Sequence, residues 1–198
     1  ETLHRQNIAL TPIRLSDIDQ IPHDAEGVTL IAPQYDLDER ELKILKDYWA
    51  RPRAAVLVVL DPVHRPERIR SFLREYGISP RNDRLMAVRD GRTTSKVHAT
   101  FTFGAQLNHI NTALEGESTI FEGGTNSLEI REGAEDLLNR RISPIALIET
   151  AAGYWGETKF TEENSTFDPQ EDYGHPVTGE GETLYLAGAV IRGNATND

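Results

Sequence analysis

The chain has no cysteine, so its chemistry rests on carboxylates, histidines and aromatic rings. Thiol nucleophiles, disulfides and cysteine-based zinc sites are excluded together. Asp61 and His64 stand in the run Asp61-Pro62-Val63-His64, directly after the apolar stretch Ala54–Leu60. An aspartate at such a strand end can bind a metal, act as a base or accept hydrogen bonds from a sugar hydroxyl, and it can equally cap the next turn. Aspartyl-phosphate chemistry of the haloacid type would want a second Asp at position 63, where Val stands. Pro33-Gln34 marks a second strand end of the same kind. Further on, Tyr154-Trp155-Gly156-Glu157 sets an aromatic pair beside a carboxylate, a combination that receives a sugar ring on its flat face and hydroxyl protons on its acid. The same Trp155 can instead plug the core beneath a loop. Asp172 and His175 close the series and can converge with Asp61 and His64 only through the fold.

Other chemistries lack their sequence signatures. The six histidines, His4, His23, His64, His98, His109 and His175, include no pair at the short spacing of a zinc site. There is no dinucleotide-binding glycine fingerprint, no phosphate-binding P-loop and no Gly-x-Ser-x-Gly elbow. Gly123-Gly124-Thr125-Asn126 is a turn signal only. No catalytic residue, metal or cofactor is therefore expected.

The elements expected to position these residues are clearest in the first 84 residues. Residues 1–7 read as the tail of a helix and residues 8–15 as a short strand. Residues 28–32 are an apolar run ended by Pro33 and predict a buried strand. Asp38 with Glu41 three residues on forms a capping-box signature, and Leu42, Leu45 and Trp49 share one face of the helix that follows. Residues 54–60 are continuously apolar, as in a central parallel strand covered on both faces. Pro66 opens the next helix, Ile69, Phe72, Leu73 and Tyr76 line it, and Gly77 stops it. Strand and helix alternating at this spacing predict right-handed βαβ units. Beyond residue 84, strands are expected at 85–88, 99–103, 145–150 and 184–191, with a helical turn near 107–114. The short apolar runs at 119–121 and 128–130 flank a hairpin or bulged turn at Gly123-Gly124. Residues 156–182 read as an acidic loop.

The expected fold is thus α/β: a flavodoxin-like, doubly wound, mostly parallel sheet with helices on both faces and a smaller irregular β-containing C-terminal portion. It forms a single domain over residues 1–198, with βα core units in 1–84, an insertion in 85–144 and return strands in 145–198. No stretch reaches the roughly 20 apolar residues of a membrane span. The net charge of −11 argues against nucleic acid. That charge is uneven. Residues 65–92 hold eight arginines against four acids, whereas residues 157–182 hold eight acids and one lysine. Such runs form solvated faces, or two patches that meet each other or a partner.

The order of several segments resembles one family. Ile21-Pro22 with Asp24, Leu30-Ile31-Ala32-Pro33, Val56-Leu57-Val58-Val59-Leu60-Asp61-Pro62 and Tyr76-Gly77-Ile78 look like motifs of the GldG-like auxiliary component of ABC-type transporters, named from gliding motility. Ala146-Leu147-Ile148-Glu149-Thr150, Trp155-Gly156-Glu157, Phe167-Asp168, Asp172 and Gly174-His175-Pro176 continue the resemblance. It departs at Arg51-Pro52-Arg53, where the family carries a glycine pair, and at Tyr154, where it carries serine. A first strand and a further motif of the family would lie upstream of Glu1, so the chain is read as a fragment of a longer one.

The resemblance implies a sheet related to class I glutamine amidotransferases without their activity, which needs a cysteine nucleophile. It further implies a non-catalytic periplasmic domain of an inner-membrane protein, partnered by a permease and an ATPase, recognising a saccharide or a protein. Pro33, Gln34, Asp61, His64, Trp155, Glu157, Asp172 and His175 are the candidate ligand-binding residues. The alternative is a carboxylate-dependent hydrolase of carbohydrate-like substrates, using Asp61, Glu157 and Asp172.

Overall fold

Two apolar runs separated by one well-capped helix dominate the first part of the chain. In the structure, a computed structural model described for residues 9–102, 110, 112–161, 166–176 and 182–193, they become β1 (Gly27–Ile31) and β2 (Ala55–Val59). Between them runs α1 (Glu39–Trp49). The capping box is present: Asp38 accepts from the Glu41 backbone N–H at 2.7 Å, and Glu41 accepts from that of Asp38 at 2.9 Å. α1 buries Ile44, Leu45 and Tyr48, and Ile44 and Tyr48 pack with Ile21, Val28 and Val56. The strands pair in parallel from Gly27↔Ala55 to Ile31↔Val59. Residues 9–14 form no strand, and a 3-10 turn follows at Leu15–Asp17.

Parallel pairing stops there. Residues 1–68 and 69–198 are two compact units, divided in the first turn of α2 (Glu67–Glu75), and the second is antiparallel. Its strands are β3 (Ile78–Pro80), β4 (Arg84–Arg89), β5 (Arg92–Thr94), β6 (Val97–Phe101), β7 (Ser118–Phe121) and β8 (Leu128–Ile130). After α3 (Glu135–Leu138) come β9 (Ile142–Thr150), β10 (Tyr154–Glu157), β11 (Tyr173–Gly174) and β12 (Tyr185–Arg192). One sheet, curled like half a barrel, runs β3-β8-β12-β9-β6-β7. The other runs β11-β10-β4-β5. Leu85, Ala87 and Tyr154 of the smaller sheet pack on Val97 and Leu184, so the two sheets share a core.

The flavodoxin-like, doubly wound expectation is therefore overturned: apart from the single β1–α1–β2 unit the described fold is mostly antiparallel β. The apolar run at 54–60 misled because apolar residues occupy both of its faces. Along β2 exposure alternates residue by residue, with Leu57 58% and Val59 45% exposed, as in a strand covered on one side only. α2 then leads into β3, which pairs antiparallel with β8 instead of returning beside β2.

The flanks of the hairpin or bulged turn expected at Gly123-Gly124 do not pair with each other. Both flanking strands form, but β7 pairs with β6, whereas β8 lies between β3 and β12. A tight hairpin does join β4 and β5 through Asp90 and Gly91, both at positive φ. The acidic stretch 156–182 holds strand β11, and the helix tail at 1–7 lies outside the described residues, as does much of the turn at 107–114.

Candidate functional site

Four of the candidate residues lie in the first unit. β1 and β2 end side by side, with Ala32 donating its N–H to Val59 at 2.8 Å, so the strand ends carrying Pro33-Gln34 and Asp61–His64 are neighbours. Asp61 is engaged locally. Its Oδ1 accepts from the backbone N–H groups of Val63 (2.7 Å) and His64 (2.9 Å) and lies 3.1 Å from His64 Nδ1. These bonds, that from His64 first, hold its carboxyl below the ordinary range. The turn-capping reading of Asp61 is the one realised. At the opposite, amino ends of the strands is an open cleft of about 610 Å³, lined among others by His23, Asp24, Glu26, Arg51 and Arg53.

The other four converge on the second unit's smaller sheet. Trp155 and Glu157 alternate to the same face of β10. Trp155 Nε1 donates to Glu157 Oε2 at 3.3 Å, and the Lys159 N–H donates to Glu157 Oε1 at 3.0 Å. Phe167 sets its ring edge-on to the indole at 6.4 Å, and His175 stands edge-on to Phe167 at 5.1 Å. Asp172 accepts from Thr158 N–H (2.9 Å) and Oγ1 (3.2 Å) and from Asp168 N–H (2.8 Å). Trp155 is 1% exposed and Glu157 4%. In this state the indole fills space beneath residues 166–176 and offers no open face to a sugar ring.

Three residues that the sequence reading did not single out complete the cluster. Arg81 is buried, with its guanidinium 4.2 Å from the centre of the Tyr173 ring, an Nη2 bond to Glu182, and an Nη1 that has no hydrogen-bond partner among the described residues. Asp83 is also buried, its carboxylate accepting from the Ser127 N–H at 2.9 Å and from its hydroxyl at 2.5 Å. Burial pushes the Asp83 carboxyl up, and the Ser127 bonds oppose that rise. Gly156 makes room for this pair, because a Cβ there would stand 2.1 Å from Asp83 Oδ2. The uneven charge was the available signal. Arg81 and Glu182 come from the basic and acidic runs, and Arg84 of the former lies over Phe160 of the latter at 4.6 Å. Among the described residues no cluster of three or more His, Asp or Glu is placed to hold a metal ion. No protein-family model matches the chain, and no curated protein matches it in sequence.

Proposed function

We propose that this chain is a non-catalytic docking module, the periplasmic auxiliary domain of an ABC-type transport system whose partners are a permease and an ATPase. The observation that carries a docking role is the open face of the β1–β2 pair. Ile31, Leu57 and Val59 stand on it 72%, 58% and 45% exposed, and Tyr35 and Val63 in the loops beyond are 85% and 69% exposed. Apolar residues grouped in this way mark surfaces that bind other macromolecules. Transport partners and location come from the family resemblance alone.

The candidate carboxylates favour binding over hydrolysis. A two-carboxylate hydrolase needs one free base and one acid facing a pocket. Asp61 spends its bonding on the next turn, Asp172 on Thr158 and Asp168, and buried Glu157 on Trp155 and Lys159. Each serves the local backbone or a neighbouring side chain.

A photo-crosslinking residue at Leu57, in the parent protein in its native membrane, tests the proposal. A covalent adduct with a transporter permease subunit, lost on Val59→Lys, is the expected result. An adduct confined to the protein's own chain, or none at all, sinks it.

A further inference from the structure

We infer that residues 166–176 form a releasable strap over the outer face of the smaller sheet, latched shut by Arg81, and that this strap controls access to Trp155 and Glu157. One face of that sheet supplies core residues Leu85, Ala87 and Tyr154, and alternation puts Trp155 and Glu157 on the other. Phe167 sets its ring edge-on against the indole there. Phe167 of the strap thus lies against the buried Trp155, while none of the strap's own eleven residues is buried.

Among the described residues its strand ladder is short. β11 joins β10 through two residue pairs only, Trp155↔Gly174 and Gly156↔Tyr173. Asp172 holds Thr158, and Glu171 pairs with the exposed Lys159. The strap carries Asp168, Glu171 and Asp172 close together, and the charge that draws them to the sheet is that of the exposed Lys159, a solvent-screened attraction. A segment with little buried apolar surface and a short ladder belongs to the low-stability end of a fold and opens locally before the rest.

Arg81 supplies the latch. Its guanidinium meets the ring of Tyr173 within the strap and the carboxylate of Glu182 in the chain beyond it. Opening removes Phe167 from the indole and presents Trp155 beside Glu157.

The test uses the chain with Trp49→Phe, which leaves Trp155 as the sole indole. Acrylamide quenching reports access to Trp155, and amide hydrogen exchange reports opening by segment. Glu182→Gln and, separately, Tyr173→Ala are expected to speed exchange at 172–176 and 155–158 by roughly three- to tenfold, the scale of losing one charge-assisted contact. Quenching should rise in parallel while exchange in β9 and β12 stays unchanged. Arg81→Met should exceed either. Unchanged quenching in both surface variants overturns the proposal. So does exchange that accelerates equally in β9 and β12, since that is general destabilisation.

Discussion

Asp83 shows how one buried carboxylate ties three segments together. It receives two bonds from Ser127 and sits where Gly156 leaves space for it. Asp83→Asn keeps both contacts, with the amide oxygen accepting from the backbone and the amide nitrogen donating to the hydroxyl. Asp83→Ala leaves both Ser127 groups buried and unpaired, at a cost of about 2–4 kcal/mol. The pH dependence has a definite sign. A carboxyl raised in the folded state stabilises fully below its ordinary value near 3.8, and that contribution fades as pH rises through the raised value. Thermal unfolding between pH 3.5 and 7, a window set by the ordinary carboxylate range, should show this decline in the parent and a flatter profile in Asp83→Asn. Gly156→Ala is expected to cost about 1–3 kcal/mol by forcing the carboxylate aside. The same change should cost less in an Asp83→Ala background, which a double-mutant cycle measures. Gly156 was readable as part of Trp155-Gly156-Glu157, but its reason for being glycine was not, because the obstructing atom comes from a residue 73 positions earlier.

At the level of elements, local signals were legible and pairing was not. The Asp38/Glu41 box, the Gly77 stop at positive φ and the strands at 27–31, 55–59, 142–150 and 185–192 all follow from neighbouring residues. The partner of each strand does not. Residues 119–121 and 128–130 looked like two arms of one hairpin because only six residues separate them. Their partners are distant in sequence, and no local pattern encodes that choice. Two substitutions probe the elements directly. Asp38→Ala removes the box and should destabilise α1 by about 1 kcal/mol, seen as earlier loss of helical circular dichroism on heating. Gly188→Val places a Cβ 2.7 Å from Ile130 Cδ1 where β12 passes β8, and should lower the unfolding midpoint by overpacking at a cost of about 1–3 kcal/mol.

On the scale of the whole molecule, charge and exposed apolar surface have different roles. The basic and acidic runs meet within the second unit, through Arg81 with Glu182 and Arg84 with Phe160. One arginine of the basic run is thus paired with one carboxylate of the acidic run. The open β1–β2 face remains in contact with solvent. Replacing Ile31 and Val59 together by Lys should leave the unfolding midpoint within measurement error, raise solubility and abolish crosslinking from position 57 to a permease. A drop in the midpoint would mean the face already packs inside the folded chain. The candidate residues at both strand ends and on β10 were found from residue type. Their employment by backbone donors was not, since it depends on turns at 61–64 and 168–172 whose geometry the sequence only hints at.

β12 lies between β8 and β9 in the larger sheet yet is made after both. A nascent chain emerges residue by residue, and parts complete in themselves fold as they appear. β1, α1 and β2 need nothing later in sequence for their mutual pairing, whereas β8 and β9 wait with an open gap until residues 185–192 are free of the ribosome. During that interval two unpaired strand edges face the cytosol or a translocation channel, a template for wrong partners. Synthesis that stalls just short of Tyr185 would leave the sheet without its middle, a species expected to aggregate or be degraded.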